Sequence, residues 1–153
     1  MIIFTQLIPE KEHQQVTVNL ALTAEERTKT RQYIETLEGK TYYLRLPRGI
    51  VLKAGDLLTS DAQDIWAKVI AKPEPIITVR ANHSLDLLKA AYHLGKKAAY
   101  HLGNRHVRLE ITSDYLRFSP DPVLSSMLVN QGLTIQEEIA PFYPEGGAYG
   151  HHH

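Results

Sequence analysis

Two prolines in four residues, Lys72-Pro73-Glu74-Pro75, constrain this chain more than any other stretch. Each proline fixes φ and lacks an N–H, so the stretch favours an extended connector and forbids a continuing central strand. The rhythm of apolar residues differs on its two sides. We read residues 1–72 as one domain, 73–140 as a second, and 141–153, which holds Pro, Glu, Gly and His without periodicity, as a flexible tail.

Before the prolines, short strands alternate with turns. Residues 2–8 open one strand, and Val16, Val18, Leu20 and Leu22 alternate with polar neighbours, the period of a half-buried strand. Thr23-Ala24-Glu25-Glu26 has the letters of a capping box, although Thr28, Thr30 and the alternation after them suit a strand better. Residues 32–37 and 41–46 flank Glu38-Gly39-Lys40, a hairpin with glycine at its turn. Residues 57–59 and 65–70 form a further pair. Strands at this spacing predict a small all-β module, sandwich or barrel. Arg45, Arg48 and Lys53 stand on turns, either as ordinary solvated charge or as a basic lip. Nothing in this half is arranged for catalysis, and its expected use is as a docking platform.

After the prolines, Ile76, Ile77 and Val79 predict a strand ending at Arg80. A helix follows, capped by Asn82 or Ser84. Residues 107–111 and 115–118 read as a hairpin. A second helix runs from Pro122 to Val129, with Asp121 at its start and Gly132 past its end, and 133–139 is a last strand. Strand, helix, strand, strand, helix, strand is the ferredoxin-like plan, so the expected class is α+β.

The first helix carries a duplication. Ala-Ala-Tyr-His-Leu-Gly occurs at 90–95 and again at 98–103, separated by Lys96-Lys97. Eight extra residues lengthen a helix by ~12 Å. On a helical wheel Leu87, Leu88, Ala91, Tyr92, Leu94, Ala98, Ala99 and Leu102 fall within one broad arc, so the apolar face survives the insertion. We favour one long helix, with Gly95 costing ~1 kcal/mol in its interior. The alternative expels one copy as a loop. Only the second copy runs on into Asn104-Arg105-His106-Val107, so it should hold any functional junction.

That junction places His101 near a helix end and His106 at the start of a strand. The chain has no cysteine, which excludes disulfides, thiolate nucleophiles and thiolate metal sites. A metal ion would be held by imidazole, carboxylate, backbone or water. His13, His83 and His93 read as hydrogen-bonding surface residues. A single His106 is a poor metal site, but a two-fold dimer brings it together with its symmetry mate. His151, His152 and His153 add exposed imidazoles at the end of the chain, as a native tail or as a purification remnant. Either would bind nickel, zinc or copper, because imidazole suits all three. Seventeen basic and seventeen acidic residues balance, so no global field favours nucleic acid or an anionic membrane. No signal peptide or apolar run of membrane-spanning length is present, and the expected address is the cytoplasm.

Several strings together resemble the UreE family of urease accessory proteins. They are Arg80-Ala81-Asn82, Ala98-Ala99-Tyr100-His101-Leu102-Gly103-Asn104-Arg105-His106-Val107, the helix from Val123-Leu124 to Met127-Leu128, and Pro144-Glu145-Gly146-Gly147-Ala148-Tyr149-Gly150-His151. Thr23-Ala24-Glu25-Glu26-Arg27-Thr28 and Leu46-Pro47-Arg48-Gly49 extend the likeness to the first half. The resemblance implies a cytoplasmic homodimer that carries Ni(II) to apo-urease. It implies an N-terminal β-domain that meets partners and a ferredoxin-like domain that binds metal and dimerises. The family's interface ligand falls on His106 and its C-terminal histidines on His151, His152 and His153, while His101 takes a secondary role. The implied partners are the GTPase UreG and the urease–UreD–UreF complex. Two features depart from the family pattern: Pro120 and Pro122 flank Asp121 where some members have histidines, and the hexapeptide is duplicated.

Two other classes are weighed against this one. A metal-dependent hydrolase needs three ligands around an open position and a nearby base, and the sequence offers no such cluster. A non-catalytic binding module with an artefactual histidine tail would lose all metal affinity when cut after Gly150.

Overall fold

Phe4 and Leu7 both turn toward one core, three positions apart, which a single pleated strand cannot arrange. The expected strand over 2–8 is therefore two, β1 (Ile2–Phe4) and β2 (Gln6–Ile8), which break at Thr5 and enter different sheets. The computed structural model describes residues 1–8, 15–101 and 107–145, the side chains of 95–101 excepted. It divides into two compact units at Lys72/Pro73.

In the first unit β3 (Val18–Leu22) is followed by a single 3₁₀ turn, Glu26–Thr28. The capping box is real. The Thr23 N–H donates to Glu26 Oε1 at 2.9 Å and the Glu26 N–H to Thr23 Oγ1 at 3.2 Å. Its helix is only one turn long, because β4 (Arg31–Glu35) starts at once and pairs with β5 (Thr41–Arg45). Gly39, at φ +82°, makes the turn between them. β6 (Leu57–Thr59) and β7 (Trp66–Ala71) form the second antiparallel pair. The two sheets run β1-β5-β4 and β2-β6-β7-β3. One core joins them, with Phe4, Ile34, Tyr42 and Leu44 from the first sheet and Leu20, Leu22, Leu58 and Val69 from the second. This is a sandwich of half-buried strands.

In the second unit β8 spans Glu74–Arg80 and so contains Pro75, against the expectation that the prolines lie outside any strand. Its neighbour β10 (Leu116–Phe118) ends opposite Ile77, so no partner on that side needs the missing proline N–H. The sheet order is β11-β8-β10-β9, every pair antiparallel, with β9 at Glu110–Ile111 and β11 at Thr134–Ala140. α1 (Ser84–His101) links β8 to β9, and α2 (Pro122–Asn130) links β10 to β11. Both helices cover one face: Leu87, Ala90 and Leu94 of α1 and Leu124 and Leu128 of α2 pack with Ile77, Val79, Leu116 and Phe118.

Asp121 caps α2, its Oδ1 accepting from the Val123 and Leu124 N–H groups at 3.0 and 3.1 Å. For α1 the first backbone bonds run to the His83 carbonyl, so the cap falls on His83 rather than on Asn82 or Ser84. α1 is continuous from Ser84 through the first copy of the hexapeptide and into the second, ~27 Å in all. The wide apolar arc expected for it is only half used: Leu88 and Tyr92 are 64% and 66% exposed. One sheet face covers only a stripe of a helix, and Leu87, Ala90 and Leu94 fill it.

Candidate functional site

The histidine junction lies between α1 and β9. His101 is the last residue of α1, and its side chain is outside what the structure describes. His106, His151, His152 and His153 lie outside the described residues, as does His13. Among the described residues no group of three His, Asp or Glu is placed to hold a metal ion. His83, which precedes α1, and His93 on it are both exposed. The His93 ring meets Tyr92 edge-on at 5.5 Å and lines an open groove of about 680 Å³ with Arg80, Asn82, Asp86, Lys89 and Thr134.

The structure does describe both flanks of the junction. The expected strand over 107–111 is shorter, because Leu109 leaves the ladder and its carbonyl accepts from the Glu145 N–H at 2.7 Å. Residues 141–145, expected as the start of a free tail, are therefore docked. Phe142 is fully buried, and the Tyr143 N–H donates to Glu110 Oε1 at 2.9 Å.

Glu110 belongs to a polar network that the sequence reading missed. Alternation places Thr78 and Arg117 on the sheet face away from the helices, and register sets Arg117 opposite both Thr78 and Glu110. The Arg117 Nε–H donates to Thr78 Oγ1 at 3.1 Å, and Nη2 reaches Glu138 Oε2 at 3.2 Å. Nη1 lies 3.8 Å from Glu110 Oε2, a weak pairing by distance. The Thr78 hydroxyl donates to Glu138 Oε2 at 2.9 Å and the Tyr115 hydroxyl to Glu110 Oε2 at 3.0 Å. The guanidinium of Arg117 lies 4.4 Å from the Tyr115 ring centre and that of Arg80 5.4 Å. Burial, the hydrogen bond to Glu110 and that carboxylate's charge push the Tyr115 phenol up from its ordinary value, against the pull of Arg117 and Arg80.

Glu110 is buried, and a buried carboxylate is stable only when its oxygens are paired. Here one oxygen holds a backbone N–H of the C-terminal segment and the other faces Tyr115 and Arg117. The arrangement has no open acid or nucleophile. What it can do is fix one piece of chain to another.

Comparisons with known proteins give a consistent answer. A model of the N-terminal domain of the UreE urease accessory protein matches residues 4–71, and one of its C-terminal domain matches residues 96–153. The first copy of the hexapeptide, 90–95, falls outside both matches, and the second falls inside. The chain is 52% identical to a urease accessory protein UreE of Nostoc punctiforme, over all of this chain and 98% of that one. A UreE of Nostoc sp. is 48% identical over all of this chain and 99% of its own. One of Thermosynechococcus vestitus is 47% identical over 99% of this chain and all of its own.

Proposed function

The chain belongs to the UreE family of urease accessory proteins, and we propose that within urease maturation it acts as a carrier of Ni(II) to the apo-enzyme. The observation that carries the reading is the full-length identity, together with a C-terminal match that takes in His101, His106 and His151, His152 and His153. The sheet order β11-β8-β10-β9 with both helices on one face supports a ferredoxin-like second domain. In this reading that domain forms a two-fold dimer, and the paired His106 side chains hold the ion between subunits. Tail histidines capture it first and His101 takes a secondary part. The β-sandwich docks partners, namely the GTPase UreG and the urease–UreD–UreF assembly. No catalysis is involved, and the site of action is the cytoplasm.

Transfer then proceeds by ligand exchange. Imidazoles and water hold the ion, and a partner with a better-matched set of donors removes it. Zn(II) and Cu(II) bind the same imidazoles in vitro. Equilibrium dialysis of the full chain should find nickel bound per dimer, with His106→Ala abolishing that stoichiometry. Affinity should fall as pH drops through the histidine range, because protonated imidazole cannot ligate. Unchanged stoichiometry in His106→Ala would overturn the shared site.

A further inference from the structure

The residues that dock the C-terminal segment were not expected to serve metal binding, yet they sit between the two sets of candidate ligands. Glu145 is bonded through its N–H to the Leu109 carbonyl, and Leu109 stands three positions after His106. His151 follows Glu145 by six positions. Whatever path the intervening chain takes, three residues span at most ~10 Å and six at most ~20 Å. Both histidine groups are therefore leashed to one point, the Leu109–Glu145 bond.

Glu110, the residue after Leu109, holds the same segment two positions before Glu145. Its Oε1 accepts from the Tyr143 N–H at 2.9 Å, and its Oε2 is occupied by the Tyr115 hydroxyl and faces Arg117. Arg117 is in turn fixed to Glu138 and Thr78. Phe142, the residue before Tyr143, is fully buried and seats the same segment. The segment is thus fastened by a side chain, a backbone bond and a buried ring within four residues. A polar network running across all four strands of the sheet backs the fastening.

We infer that Glu110, aligned by Arg117, is a positioning residue for metal capture: it pins the root of the C-terminal segment beside the strand issuing from His106. The tail imidazoles then meet the His106-bound ion at the high local concentration of a short tether. This rests on the nickel-carrier reading above. Without the pin, the last anchored point before His151 would move back toward the end of β11 at Ala140, eleven positions away instead of six, and the effective concentration of the tail imidazoles would fall by about two- to threefold.

The test combines two variants with two backgrounds. Glu110→Ala removes the acceptor, and Tyr143→Pro removes the donor while leaving Glu110 in place, which covers the case in which the buried-site variant does not fold. In the metal-free protein both should strip hydrogen-exchange protection from the Glu145 amide. In the full chain both should weaken Ni(II) binding, measured by calorimetry, by about two- to threefold, the −3/2 power of a tether lengthened from six positions to eleven. In a chain carrying His151→Ala, His152→Ala and His153→Ala, neither should weaken it further. Equal weakening in both backgrounds would mean that Glu110 only stabilises the fold, and no weakening in the full chain would mean that the pin is idle. Either result overturns the inference. If His106→Ala itself leaves nickel binding unchanged, it is the carrier reading that fails, whereas loss in His106→Ala without loss in Glu110→Ala or Tyr143→Pro sinks the pin alone.

Discussion

Arg27 is only 4% exposed, inside the β-sandwich, and its guanidinium donates to the Leu22 carbonyl at 2.9 Å. Its own carbonyl accepts from the Leu52 N–H at 2.8 Å, so one residue ties the end of β3 to a distant loop. Arg27→Ala removes one of the two donors to the Leu22 carbonyl, which also accepts from the Lys72 N–H at 2.9 Å, and empties a buried side-chain site, so urea unfolding should register a loss of about 1–3 kcal/mol. Tyr115 yields a second prediction. Its raised phenol ionises after ordinary tyrosines, so its contribution to stability is whole below the unfolded value of 10.0 and is lost as pH rises through the folded one. Difference absorbance during alkaline titration should show one late tyrosine, absent in Tyr115→Phe. Of these residues, only the capping pair Thr23 and Glu26 was legible as letters. Glu110, Arg117 and Glu138 were not, because charges at alternate strand positions look like a solvent face. Only the register of four strands brings them together.

At the scale of elements, α1 shows both the power and the limit of periodicity. Its continuity through the duplication followed from an apolar arc that outlasts eight added residues. Which part of the arc would be buried did not follow, since a wheel has no sheet beside it; Leu88 and Tyr92 are exposed for that reason. Deleting residues 90–97 restores a single copy and brings Ala98 and Leu102 to the places of Ala90 and Leu94, which line the core. Stability should then change by no more than ~1 kcal/mol, because the same residue types refill the same sites. Far-ultraviolet circular dichroism should report the loss of roughly two helical turns, eight residues at 3.6 per turn. Pro75 taught a similar lesson. A proline marks where a strand has no neighbour on one side, which lies inside a strand when the adjoining one is shorter.

At the scale of the molecule, hairpin signals placed most strands. The crossing of the first residues between sheets was not legible, since nothing local in 2–8 announces that Thr5 is a corner. That corner has a consequence in time. β1 forms one edge of the three-stranded sheet and β2 one edge of the four-stranded sheet, and their partners Tyr42 and Leu58 come roughly forty to fifty positions later. At about 5–20 residues per second, the opening strands leave the ribosome seconds before either sheet exists to receive them. The earliest apolar residues made are thus among the last to be sheltered, and the sandwich closes only when the chain returns to its own beginning.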